Sequence, residues 1–446
     1  MNLEERVAKV ESENQRLRGQ VQSLLKENAE LKEKLGLNST NSSIPSSKEL
    51  YKIRKSNKQK SERKVGGQIG HKGFCREKMQ ADEIVKIELP KLCECGGELK
   101  LCAKPYIHQK IDLPQIKPYV VEYQLEHGRC RKCGKRRNST LPAGTESDVF
   151  GSRVKGVIAS LTGFYKNSKR EVVSILSDMF NLKMSVGSIT NNEARVAVKC
   201  KESYELIEQQ VNNSYIVHMD ETSHYNKGKL GWCWMFTSNS ASFLKLEDSR
   251  GKKVLENSVF GSNDHLVVTD RYAAYNYFAE ENRQICLAHL ARDFERLANS
   301  WNSDVKMMGC YLKNVVTELF CLKKSLLKNE IDSLRFLRRA RVLRKRSWHY
   351  LKEISYTPEA VHASRVAKNI MKSENMMWKF LDDPVNIPLT NNHAERQIRH
   401  YVVYRKNSYF TQSENGNRFL ERMISLYLTA KQQNQNPFQQ LLANLA

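Results

Sequence analysis

Tyr215-Ile216-Val217-His218-Met219-Asp220-Glu221-Thr222 is a short apolar run that arrives at a carboxylate, and Leu266-Val267-Val268-Thr269-Asp270 does the same again. Runs of this length, rich in β-branched residues and bounded by polar ones, read as buried strands. A third acid, Glu395, lies in Asn391-Asn392-His393-Ala394-Glu395-Arg396-Gln397-Ile398-Arg399, where Thr390 or Asn391 is suited to cap a helix starting just after Pro388. Two strands that each deliver an acid, with a helical Glu as third partner, suit a pair of hard divalent ions. Mg²⁺, or Mn²⁺ in its place, takes oxygen ligands and keeps part of its water shell, so two or three convergent carboxylates suffice for phosphoryl transfer on DNA. Any one of these acids alone would read as an ordinary turn residue at a strand end. Glu221 adjoins Asp220, but alternation along a strand turns it to the opposite face.

The blocks Met219-Asp220-Glu221-Thr222, Thr269-Asp270-Arg271-Tyr272-Ala273-Ala274-Tyr275, Cys286-Leu287-Ala288-His289-Leu290-Ala291-Arg292-Asp293-Phe294, Asn391-Asn392-His393-Ala394-Glu395-Arg396 and Arg405-Lys406-Asn407-Ser408-Tyr409-Phe410 resemble, in this order, those of the insertion sequence 66 family of bacterial transposases, the TnpC type. The resemblance covers nearly the whole chain. It implies a ribonuclease-H-like catalytic core, Mg²⁺ dependence, and a DDE triad that carries over to Asp220, Asp270 and Glu395. Arg271 stands where the family usually has Gly, and Leu287 where an aromatic is common. Neither is a carboxylate.

Composition bears on partners. The chain has 446 residues with 73 Lys+Arg against 49 Asp+Glu, a formal net charge of +24 that favours a polyanion. It has no apolar stretch of about 18 residues, and a charged start in place of a signal peptide, which argues against a membrane and for a cytoplasmic protein associated with the nucleoid when bound to DNA. Eleven Cys, an odd number in so large a chain, suggest reduced thiols with one metal cluster. No phosphate-binding glycine loop followed by Lys-Ser or Lys-Thr is present, so nothing supports ATP use.

Along the chain the pattern predicts a multidomain α+β protein. Residues 1–36 form a dimerising coiled coil: Leu3, Val10, Leu17, Leu24 and Leu31 occupy position d, and Val7, Asn14, Val21, Asn28 and Leu35 position a, a set that favours a parallel dimer. Residues 37–88 read as a flexible basic arm, with Gly-rich Gly66 to Gly73 and Lys72 placed to lie along phosphates. In residues 89–148, Cys93, Cys95, Cys130 and Cys133 form a CxC and a CxxC that suit tetrahedral Zn²⁺ in a structural role. The family carries CxxC in both places, and Cys102 and His127 are alternative ligands. Between the cysteine pairs, Tyr119 to Leu125 reads as a strand.

Residues 149–212 are helical, and two helices meeting at Asn181 to Ser185 suggest a helix-turn-helix in which Ser188, Asn191, Asn192 and Arg195 face outward toward DNA. Two scaffold helices read equally well. The ribonuclease-H-like core occupies residues 213–300 and 386–430, interrupted by a helical insertion at 301–385; a tail follows at 431–446. The insertion carries a basic run from Arg335 to Arg346 that suits either a solvated helix face or a clamp on a DNA end. Around the third acid, Arg396, Arg399, Arg405 and Lys406 are candidate phosphate ligands, although Arg399, four residues after Glu395, also suits a simple ion pair. The chain therefore reads as a Mg²⁺-dependent enzyme that acts as a dimer or higher oligomer on the ends of a mobile element and on target DNA, with accessory proteins as further partners. The rival is a DNA-binding regulator or assembly scaffold that no longer cuts.

Overall fold

The computed structural model describes residues 3–35 and 77–446, apart from residues 101, 103, 146–147, 259 and 261–264. The chain divides into two compact units, one of Met1–Leu50 with Val120–Ala446 and one of Tyr51–Tyr119. The basic arm, Lys72 included, lies outside the described residues except at its end. Helix α1 (Leu3–Leu35) is continuous over the predicted heptads. Val7, Val10, Leu17, Val21, Leu24 and Leu31 of its seam are exposed.

The larger unit is built on a five-stranded mixed sheet. Strands β1 (His127–Arg129) and β2 (Arg136–Asn138) make a separate antiparallel ribbon. Four helices follow, α2 (Ser152–Ala159), α3 (Lys169–Phe180), α4 (Val186–Lys199) and α5 (Lys201–Asn212). The sheet then opens with β3 (Ile216–Asn226), β4 (Lys229–Thr237) and β5 (Ser242–Glu247), continues past the single turn α6 (Lys253–Glu256), and closes with β6 (Leu266–Thr269) and β7 (Arg283–Ile285). Its spatial order is β5-β4-β3-β6-β7, with the first three strands antiparallel and β6 and β7 parallel to β3.

Four of the five core strands fall on apolar runs; the fifth, expected at Ile285 to Leu287, lies earlier, at Arg283–Ile285, because Cys286 and Leu287 already begin α7. A second difference is length: β3 does not end at Asp220 but runs on to Asn226, pairing Asp220 with Met235 and Asn226 with Lys229. The reason is the turn that follows, where Lys227 and Gly228 both take positive φ (50° and 76°), the two-residue geometry whose twist matches a hairpin. In contrast, Tyr119 to Leu125 forms no strand. Tyr119 and Val120 are almost wholly exposed, and an alternating segment without a partner ladder has nothing to pair with.

Alternation sorts β4 onto two cores. Trp234 and Phe236 face one side, packed with Val217, Met219, Val267 and Ile207 and Val211 of α5. Cys233 and Met235 face the other, under α12 (Asn392–Ser408) and α13 (Glu414–Gln432). Helix α14 (Pro437–Leu445) follows α13 and closes against α2.

The predicted insertion is helical throughout its main body. After α7 (Leu287–Ala298) come α8 (Ser303–Leu327), α9 (Ser333–Ser355), α10 (Val361–Met371) and the short α11 (Glu374–Met377), whose Leu312, Phe336, Leu343 and Leu351 share one core with Leu266 of β6 and Leu290 and Phe294 of α7. Gly309 lets α8 cross the end of α7, since a Cβ there would stand 2.3 Å from the Ala298 nitrogen.

Lys323 of α8 ties this body to the segment that enters α12. It is buried, and its ammonium donates to the carbonyls of Pro384, Val385 (3.0 Å) and Ile387 (3.0 Å). Lys323→Met would keep the stem and leave those carbonyls without a donor. The expected loss is about 1–3 kcal/mol of stability, read as a lower urea midpoint; an unchanged midpoint would show that water replaces the ammonium without cost.

Candidate active site

Asp220 and Asp270 stand on neighbouring parallel strands. The register that pairs Val217 with Val267 and His218 with Val268, continued two residues past the last pair, brings Asp220 level with Asp270, which directly follows β6. Each carboxylate is held by a backbone N–H nearby in the chain: Glu221 N–H donates to Asp220 Oδ1 (3.0 Å) and Tyr272 N–H to Asp270 Oδ1 (2.8 Å). Behind Asp270, the buried Arg283 guanidinium donates to its carbonyl (2.8 Å), to Thr269 Oγ1 (2.9 Å) and to Asn276 Oδ1 (2.9 Å). Burial lowers that guanidinium to about 10.

Glu395 lies in the first turn of α12. That helix covers the face of β3 that bears Asp220: Tyr401 Oη lies 2.7 Å from His224 Nδ1, and Arg405 donates to Thr222 Oγ1 (2.9 Å). Residue Asn391 does occupy the cap position, but its side chain does not cap the helix. Its amide donates instead to Met219 O (2.7 Å) and its carbonyl oxygen faces His218 Nδ1 (3.1 Å), while its backbone N–H donates to Cys286 Sγ (3.1 Å). The linking role of Asn391 is the main feature that sequence reasoning missed. Its only signal was a polar residue in a block where a cap was expected.

Glu221, as alternation predicts, serves the opposite face. It is buried and accepts from Arg250 Nε (2.9 Å) and from Tyr275 Oη, with Arg250 lying over Tyr272 (3.7 Å) and Trp232 (4.7 Å). Asp220 has no such compensation. Burial first, then the charges of Glu221, Asp270 and Glu395, hold its carboxyl well above the usual carboxylate range. The three acids are not gathered around one point: among the described residues, the one group of three with ligand atoms within 4.8 Å of one another is Cys286, His289 and Glu395.

The remaining candidates separate. On α4, Asn191 and Arg195 are exposed and Ser188 is half-buried. Asn192 must be corrected: it is buried, and its amide donates to Lys155 O (3.1 Å), because α4 turns this face toward α2 and α13. Arg195 is engaged by Asp148. Arg396, Arg399 and Lys406 are exposed on α12, whereas half-buried Arg405 fastens that helix to β3. Arg271, the departure from the family pattern, pairs with Asp293 on α7. Arg339 and Arg344 of the basic run are paired with Glu318 and Glu374. Cys93 and Cys95 belong to the smaller unit, where Cys93 N–H bonds Gly97 O (2.8 Å) and Gly96 turns at φ 87°. Cys130 and Cys133 belong to the larger one, in a similar turn with Cys130 N–H on Lys135 O (2.9 Å) and Gly134 at φ 69°. The Gly97 backbone and Cys93 lower the Cys95 thiol, and the Cys133 and Lys132 backbones lower that of Cys130.

An uncompensated acid is a liability to the metal-free fold. Asp220→Asn keeps an acceptor for the Glu221 N–H and removes the charge. In chelator it is expected to stabilise the protein by on the order of 1 kcal/mol, measured by thermal melting; a lower melting temperature would mean that the Asp220 charge is already neutralised by the chain.

Comparison with known proteins places these residues in context. A model of the Transposase IS66 family matches residues 171–418, which contain all three acids. A second model, of a family of unknown function (DUF6444), matches residues 2–77. No curated protein matches the chain. The family match spans more than half of the sequence, and the chain belongs to the Transposase IS66 family.

Proposed function

We propose that this chain is a DNA transposase that binds the terminal inverted repeats of an insertion sequence and performs metal-dependent strand cleavage and strand transfer, with Asp220, Asp270 and Glu395 as its catalytic carboxylates. The observation that carries the reading is the level placement of Asp220 and Asp270 on adjacent parallel strands, with Glu395 entering on the helix laid across the same face. The order β5-β4-β3-β6-β7, three antiparallel strands followed by two parallel ones, supports a ribonuclease-H-like core. Asp270 follows the carboxyl end of β6, the end of a strand at which open α/β folds put their chemistry.

The donor set fits Mg²⁺. All three ligands are hard oxygens, their mutual repulsion is what a cation relieves, and Glu395 Oε1 is shut off from solvent without a hydrogen-bond partner. Acids spread more widely than the shell of one ion suit a pair. When bound, the ions supply activation of a water or 3′-hydroxyl and neutralise the leaving oxygen. The chain's own part is positioning. The Glu221 and Tyr272 amides fix one oxygen of each Asp, and Arg283 stiffens the turn behind Asp270. Exposed Arg396, Arg399 and Lys406 supply charge for phosphates beside the acids.

The exposed α1 seam supports pairing with a second copy of the chain, and the CxC and CxxC spacing in the sequence supports a structural Zn²⁺ with Cys93, Cys95, Cys130 and Cys133 as its ligands. No helix among the described residues is long and apolar enough to cross a membrane.

The decisive experiment is cleavage of DNA from the ends of the element with Mg²⁺. Asp270→Ala is expected to abolish cutting while affinity for the same DNA stays within about twofold. If wild type binds those ends but never cuts them, the protein is a regulator or scaffold. Deletion of residues 1–35 should lower the mass seen by light scattering and weaken binding to paired ends more than to one end, because the coil contributes avidity and no base contacts; an unchanged mass would place the dimer contact elsewhere.

A further inference from the structure

Cys286 is the N-cap of α7, His289 lies within the first turn of that helix, and Glu395 approaches both from α12. Their ligand atoms lie within 4.8 Å of one another. His289 Nδ1 and Glu395 Oε1 face each other at 3.5 Å, and both atoms are closed to solvent and lack a hydrogen-bond partner. A fold carries such unsatisfied buried atoms where something else engages them. A spacing near 3.5 Å is also the edge of a tetrahedron whose N and O donors stand about 2.0–2.2 Å from Zn²⁺. The third donor is soft. Cys286 Sγ accepts the Asn391 N–H at 3.1 Å at the amino end of a 12-residue helix; burial outweighs the neighbouring backbone N–H groups and holds its thiol up, so the metal itself must displace the proton.

We propose that Cys286, His289 and Glu395 form a second metal site, specific for one thiophilic divalent cation and best matched by Zn²⁺, with water as the fourth ligand. The thiol proton leaves to solvent as the metal binds. Mg²⁺ does not compete for a sulfur and imidazole pair, since it demands oxygen. The site nevertheless shares Glu395 with the carboxylates. Zinc there draws the Glu395 oxygen toward α7 and away from Asp220 and Asp270, so occupation switches cutting off. This consequence rests on the catalytic reading of Glu395 given above; the binding does not.

The test uses the full chain equilibrated with buffered Zn²⁺, desalted and measured for zinc by elemental analysis. Cys286→Ser and His289→Ala should each hold about one equivalent less than wild type, whatever the four-cysteine set retains. Substitution with Co²⁺ should show weaker thiolate-to-cobalt absorption in Cys286→Ser. Ser is itself a good helix cap, and circular dichroism checks that each variant is folded; Glu395→Ala provides a third variant that should lose the same equivalent. Equal zinc in wild type and all folded variants overturns the site. For the switch, the ratio of cleavage with and without added Zn²⁺ should fall at least about tenfold in wild type, a loss of the size that disturbed metal sites show, and stay near one in Cys286→Ser, whatever its basal rate. If zinc is lost from the variants while wild-type cleavage ignores zinc, the shared use of Glu395 is wrong. If wild type never cuts, the transposase reading fails and the zinc counts alone decide the site.

Discussion

The hydrogen bonds of Asn391 hold the site together. This one residue, 1% exposed, joins three elements that are far apart in sequence: its amide reaches Met219 and His218 on β3, and its backbone reaches Cys286 at the start of α7. Adjacent bonds extend the join, from Leu287 N–H to Leu389 O (2.9 Å) and from Cys286 N–H to Thr269 O (2.8 Å). The geometry also sets the local protonation. The Asn391 amide nitrogen must point at the Met219 carbonyl, so its oxygen meets His218, whose neutral ring must carry the proton on Nδ1. Burial, and then His393, keep His218 low, at about 4, and so neutral. Arg405 and Tyr401 fasten the middle and end of α12 to β3, and this clasp does so at its start, next to Glu395.

Two adjacent acids on β3 show how a pleat gives neighbouring carboxylates opposite surroundings. Glu221 is buried among groups that match it, an Arg250 guanidinium stacked on Tyr272 and the Tyr275 hydroxyl. Asp220 points the other way and meets only like charge. Burying a charge unpaired is tolerated where a function requires it. Glu374 and Glu414, the acids flanking Glu395 in sequence at 21 and 19 residues, are likewise matched: Glu374 pairs with Arg344 and Glu414 accepts from Asn226 (2.7 Å).

Much of this was legible in the sequence because it depends on local pattern. The core strands follow from β-branched runs, α1 from its heptads, and the helical body from a long span free of Gly and Pro. The family blocks point to Asp220, Asp270 and Glu395 as the candidate acids. What was hidden depends on partners distant in the chain. Asn192 looks like an outward polar residue until α2 and α13 are laid against it, and Arg405 looks like a phosphate ligand until β3 passes beneath. The full length of β3 was masked by its polar second half, Glu221 to Asn226, which is a strand only because β4 pairs with it. The approach of His289 to Glu395 spans 106 residues of sequence, and no local pattern announces it.

The insertion has a consequence for the order in which the protein is made. Asp270 precedes Glu395 by 125 residues, and between them lie α7 and α8 to α11, which pack on one core with Leu266 of β6. Synthesis proceeds from the amino end and compact parts fold as they emerge. The sheet can therefore assemble with two of its acids in place while the third has yet to leave the ribosome. A chain released early, by a frameshift or a premature stop inside the helical body, keeps every element up to that point but lacks the carboxylate that completes the set.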